Sequence, residues 1–145
     1  MLKVLIIAGE NSGDILGSKI MSSLKKYHNE AIKFEGIGGR LMCQQGIQNN
    51  LIPFEDLSVM GIFEILPKIP KLLRHLSFLR KYITLNKPDI LITIDSPDFN
   101  FRLVSKLKDQ SFLKIHVVAP SVWAWRPGRA KKISKLYDHL FTLFP

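Results

Sequence analysis

Five short apolar runs constrain this chain more than any other feature. Leu2–Ala8, Ile32–Ile37, Asp89–Thr93, Leu113–Ala119 and His139–Phe144 are all of strand length and too short for core helices. Several are apolar throughout rather than alternating, as expected of strands covered on both faces. Between them, apolar residues recur at helical spacing, as in Ile15, Leu16, Ile20, Met21 and Leu24. The order β-α-β, repeated, predicts an α/β fold: a Rossmann-like, doubly wound, mostly parallel sheet with helices on both faces. A short helix is expected over Arg40–Gln45, stopped by Gly46, with a further extended piece over Ile47–Pro53. No repeat, low-complexity tract or linker interrupts the pattern, so residues 1–145 read as one domain.

Charge narrows the partners. The 145 residues carry a formal net charge of +9, which favours an anionic neighbour: nucleic acid, acidic lipid or a phosphorylated small molecule. No helix-turn-helix, RNA-recognition or zinc pattern supports nucleic acid. The single cysteine, Cys43, excludes an internal disulfide and a cysteine-rich metal site, and reads as a small half-buried residue in a reducing compartment. Val4–Ala8 is too short for a signal peptide, and no run approaches the ~20 apolar residues that span a bilayer.

Open α/β sheets place ligands beyond the carboxyl ends of their strands, so the loops there are the ones to search. After the first run come Gly9-Glu10-Asn11-Ser12-Gly13-Asp14. Ser12, Gly13 and Asp14 near a helix start could hold an anion, or the glycines could merely permit a turn. The spacing is neither a dinucleotide fingerprint nor a nucleophile elbow. After the third run come Asp95-Ser96-Pro97-Asp98, with Ser96 placed as N-cap and Pro97 as first residue of a helix running through Leu107. Asp98 in the first turn favours the helix dipole, which leaves Asp95 free for chemistry. After the fourth run, Pro120–Arg129 contains two tryptophans, two prolines and two arginines. Such a loop either shapes a pocket or caps the core with its indoles. His116, inside the run, reads as packed.

One stretch is amphipathic. Over Ile62–Ile83, Ile65, Leu66, Ile69, Leu72, Leu73, Leu76 and Leu79 interleave with Lys68, Lys71, Arg74, Arg80 and Lys81. Pro67 and Pro70 predict a short helix leading into a longer one. The stripe serves either a core-packed helix or a basic surface resting in a membrane interface.

Five motifs occur in register: Ala8–Asp14, Gly36–Gly39, Val59-Met60-Gly61, Ile94–Asn100 and Pro120–Arg126. Together they closely resemble the N-terminal half of the lipid-A-disaccharide synthase family, over essentially the whole chain. That resemblance implies an inverting glycosyltransferase of the GT-B type, with two Rossmann-like domains facing across a cleft. The expected reaction joins UDP-2,3-diacylglucosamine to 2,3-diacylglucosamine 1-phosphate, giving the lipid A disaccharide and UDP. Work at the cytoplasmic face of a Gram-negative inner membrane is implied, with no cofactor and no catalytic metal. The C-terminal domain holding most nucleotide contacts is expected to lie outside this sequence, leaving this half weak or inactive alone and possible partner to a separate C-terminal half.

The same resemblance suggests roles. Asp95 is the expected base for the acceptor hydroxyl, with Glu10 orienting it or a sugar. Ser12, Gly13, Asp14, Met60, Asp98, Asn100 and Ser121 are expected to bind substrate. Trp123 and Trp125 would supply apolar walls, and Arg126 would meet a phosphate. Ile62, Phe63, Ile65, Leu66, Ile69, Leu72 and Leu73 are the expected membrane-facing residues. Rival readings are a non-catalytic lipid-binding module and another two-domain UDP-sugar glycosyltransferase.

Overall fold

The computed structural model describes residues 1–28, 31–58, 66–107, 110–118 and 127–142. Strands β1 (Leu2–Ala8), β2 (Ile32–Ile37), β3 (Ile90–Ile94), β4 (Leu113–Val117) and β5 (His139–Phe141) form one sheet in the order β2-β1-β3-β4-β5. All neighbours are parallel, with Ala8 aligned to Ile94 and Ile94 to Val117. Parallel neighbours need crossovers rather than hairpins. Helices α1 (Asn11–Tyr27), α2 (Arg40–Gln45), α3 (Ile69–Asn86), α4 (Pro97–Ser105) and α5 (Pro127–Ser134) fall between the strands, with 3-10 turns at Phe54–Asp56 and Leu66–Lys68. The doubly wound parallel sheet expected from the apolar runs is the one observed.

Strand alternation sorts the core into two layers. Val4, Ile6, Ala8, Ile92 and Ile94 pack with Met21 of α1 and Met42 of α2. Leu5, Ile7 and Leu91 point the other way, against Leu76, Leu79 and Ile83 of α3 and Leu103 and Val104 of α4. Each such side chain contributes roughly 1.5–3 kcal/mol by leaving water, so the sheet is clamped from both sides.

Several boundaries differ from expectation. Ile47–Pro53 forms no strand: Leu51 donates one bond to the Gly36 carbonyl, while Ile47 and Ile52 are buried by packing. Apolar residues anchoring a coil look like a strand when partners are unknown. Helix α4 stops at Ser105, before Leu107, and β5 ends at Phe141. Cys43 is exposed rather than half-buried.

The stripe on α3 divides, after a short turn at Leu66–Lys68 as the two prolines predict. Leu76, Leu79 and Ile83 are buried, and Leu72 packs against them, so Leu72 belongs to the core and not to a membrane face. Leu66, Ile69 and Leu73 face solvent. Asp56 accepts from His75 at 2.8 Å and from Lys71 at 3.3 Å, tying the preceding turn to the helix.

His116 is packed, as its mid-strand position suggests. It is fully buried, with Nδ1 2.7 Å from the Thr93 hydroxyl, which also meets the Tyr137 hydroxyl at 2.9 Å. Burial pushes its pKa from 6.5 down to about 4, opposed in part by the Val118 backbone. The folded protein therefore holds the ring neutral where the unfolded chain would protonate it. Its contribution to stability is complete above pH 6.5 and is lost as pH falls from 6.5 toward 4. At about 1.4 kcal/mol per unit, that loss amounts to about 3 kcal/mol near pH 4.5. Urea unfolding of the wild type and His116→Gln should show their stability difference shrinking by that amount between neutral pH and pH 4.5. A difference constant with pH would contradict this.

Candidate active site at the carboxyl edge of the sheet

β1 runs into α1, which packs on one face of the sheet, whereas β3 runs into α4 on the other. Strand order therefore reverses between these adjacent parallel strands, and their exit loops part to leave a crevice. Three loops meet there. A Cβ on Gly9 would lie 2.7 Å from Ser96 Oγ and 3.0 Å from Leu57 Cβ, so a side chain there would have to displace both. The Ser58 hydroxyl donates to the Gly9 carbonyl at 2.6 Å.

Asp95 and Ser96 both adopt left-handed backbone, with φ of 51° and 40°. Such residues cost on the order of 1 kcal/mol or more apiece and persist where their surroundings hold them. Here the Asp95 amide donates to the Val117 carbonyl at 3.0 Å, and Asn100 Nδ2 donates to the Asp95 carbonyl at 2.8 Å. The Asn100 amide also donates to the Ser96 carbonyl at 3.1 Å. Asn100 is wholly buried, so its task is to hold the Asp95 turn rather than to bind a sugar hydroxyl. Ser96 occupies the N-cap position of α4 without making a side-chain cap bond. Val118, with φ of 67°, is a third left-handed residue at this edge, at the exit of β4.

The turn brings the carboxylate of Asp95 toward Glu10. Burial, and then the negative charge of Asp95, raise the Glu10 pKa above its ordinary 4.5. Two acids from different strands thus sense each other across the crevice.

Helix α1 starts earlier than the glycines suggest, at Asn11, with Glu10 in the N-cap position and no side-chain cap bond. Ser12 is exposed in its first turn, while Gly13 packs onto Ala8 and Ile94. Asp14 is engaged by backbone. Its two oxygens accept from the Leu41 and Met42 amides at 3.1 and 3.0 Å, tethering the start of α2. A buried acid bonded to two amides looks, in sequence, like an acid at a ligand loop. Asp98 is exposed in the first turn of α4. Ser58 was not foreseen; nothing in its spacing marks it. Met60, Ile62, Phe63, Ile65, Ser121, Trp123, Trp125 and Arg126 lie outside the described residues.

Two solved structures share the fold. A putative UDP-N-acetylglucosamine 2-epimerase from Listeria monocytogenes superposes with a TM-score of 0.63 at 16% identity, over 97% of this chain and 38% of that one. The UDP-GlcNAc 2-epimerase from Neisseria meningitidis gives 0.60 at 17%, over 97% of this chain and 40% of that one. Sequence relatives are much nearer. The lipid-A-disaccharide synthase of Rhodospirillum centenum is 44% identical across 99% of this chain, and that of Idiomarina loihiensis 46% across 99%. The chain spans 36% and 37% of the length of those two proteins. The profile of the lipid-A-disaccharide synthetase family matches residues 4–145. With that match covering nearly every residue and the five motifs in register, the chain belongs to the lipid-A-disaccharide synthase family.

Proposed function

We propose that this chain is the acceptor-side N-terminal domain of an inverting glycosyltransferase that makes the lipid A disaccharide. The substrates would be UDP-2,3-diacylglucosamine and 2,3-diacylglucosamine 1-phosphate. The observation that carries the reading is the Glu10–Asp95 pair at the reversal of strand order. A sugar hydroxyl is a weak nucleophile at neutral pH, so a positioned carboxylate must take its proton as it attacks the anomeric carbon. Asp95 is the proposed base and Glu10 the group that orients it or the sugar. The first turn of α1, with Ser12 exposed, offers backbone amides to the substrate. Met60, Asp98, Ser121, Trp123, Trp125 and Arg126 remain proposed substrate contacts. UDP is proposed to leave from a second domain, which also completes the site.

Acyl chains on both substrates place the reaction beside a bilayer, proposed as the cytoplasmic face of a Gram-negative inner membrane. Among the described residues, no helix is long and apolar enough to cross one. Leu66, Ile69 and Leu73, exposed beside Lys68 and Arg74, support a surface that rests on anionic lipid, with Ile62, Phe63 and Ile65 proposed to extend it.

Mixing the purified chain with the C-terminal portion of a full-length relative and both lipid substrates tests this. UDP release is expected in the mixture, and little or none from either half alone. Liposome binding without UDP release from the mixture would instead favour a non-catalytic lipid-binding module.

A further inference from the structure

An open groove of about 440 Å³ lies between the starts of α1 and α2, within the size range of small-molecule sites. Asn11, the residue after Glu10, is one of its lining residues, so the groove opens beside one of the two acids. Its walls include Ile15, Leu41 and Phe54, and Ile15 is 48% exposed although it sits in the first turns of a core helix. Arg40 and Glu55 stand among the lining residues. Opposite charges in one lining do not select a bare anion, and the Asp14 carboxylate among them is already bonded to amides. What the groove offers is apolar surface close to Glu10.

We propose that this groove holds one acyl chain of the acceptor sugar, with Ile15, Leu41 and Phe54 as its walls. The proposal rests on the acylated-sugar reading above and adds where one chain goes. Seating a chain here would draw the sugar toward Glu10 and Asp95, so chain burial would position the hydroxyl as well as add affinity. It also separates this site from the exposed face of Leu66, Ile69 and Leu73, which lies on another helix.

Cys43 is the single cysteine of the chain and lines the same groove, which supplies a readout independent of catalysis. Burial and the Asp14 charge raise its thiol pKa above 9.0, so maleimide labelling is run in mildly alkaline buffer. 2,3-Diacylglucosamine 1-phosphate should slow labelling at least ~5-fold, whereas glucosamine 1-phosphate and a free fatty acid of equal length should not. Ile15→Asp should raise the half-protecting concentration about tenfold, because a carboxylate replaces apolar wall. Arg40→Gln should change it less than about twofold. Both residues are solvent-facing, and retained circular dichroism would confirm that the variants fold. Equal protection by glucosamine 1-phosphate, or loss of protection in Arg40→Gln alone, would overturn the acyl assignment in favour of phosphate binding. Equal protection by the fatty acid would overturn it as non-specific. Absence of protection while the mixed halves still release UDP would overturn the groove and leave the proposed reaction standing. Absence of both would remove the two together.

Discussion

Asp95→Asn should lower disaccharide synthesis by the mixed halves about a thousandfold, a loss of about 4 kcal/mol in transition-state stabilisation. The substitution is chosen for its backbone. Asp95 sits at φ 51°, and Asn is among the few residues that tolerate left-handed conformation, so the turn held by Asn100 and Val117 should survive. The amide matches the carboxylate in size but is no useful base. Retained unfolding temperature with lost turnover is therefore the expected pair of results, and a loss below tenfold would refute Asp95 as the base. The same variant has a second readout in Glu10. Asp95 is the lesser of the two causes that raise its pKa, burial being the larger. Carboxyl titration by NMR should move Glu10 downward in Asp95→Asn without returning it to 4.5. An unchanged Glu10 would mean that the two acids do not face each other in solution.

Gly36→Ala should be the most damaging Gly→Ala change among the described glycines. Gly36 has φ of +141°, and an added Cβ would stand 1.9 Å from the Ile6 carbonyl oxygen of the neighbouring strand. β1 cannot retreat, since it is hydrogen-bonded to β2 on one side and β3 on the other, so only the edge strand β2 can give way. The variant must open the β1–β2 ladder or twist away from a backbone region that alanine disfavours. A cost on the order of 4 kcal/mol is expected, within the range of severe core substitutions. Urea unfolding measures it directly, and soluble protein within 1 kcal/mol of wild type would show that β2 shifts more readily than a paired strand should. Gly46→Ala provides the contrast. Its φ is also positive, at +142°, but an added Cβ there meets Phe34 at 3.4 Å, an ordinary contact.

The two glycines show why a motif can be read while its purpose cannot. Gly36 stands in a stretch that resembles a family signature, and the natural guess is that such a glycine makes room for a ligand. It makes room for a carbonyl oxygen. Asp14 and Asn100 repeat the lesson: both lie in motifs beside the site, and both serve backbone amides and carbonyls that no spacing rule can see. Leu72 and Leu73 adjoin in sequence and in apolarity, yet one packs inward and the other faces water. Helical phase separates them by about 100°, and the side on which the sheet lies decides which is buried.

From the sequence alone follow the five strands with helices between them, the parallel sheet, the position of Asp95 at a strand end and the family. Those properties depend on local periodicity and on chain order, which are present in any linear reading. Tertiary structure alone decided that β1 and β3 are neighbours with helices leaving to opposite faces, so that Glu10 and Asp95, 85 residues apart in number (95 − 10), share one crevice. It also turned Asp14 and Asn100 into scaffold and opened the groove beside Glu10. The reason is physical: what a polar side chain does depends on which distant backbone groups packing leaves without a partner, and that is fixed only when the sheet closes.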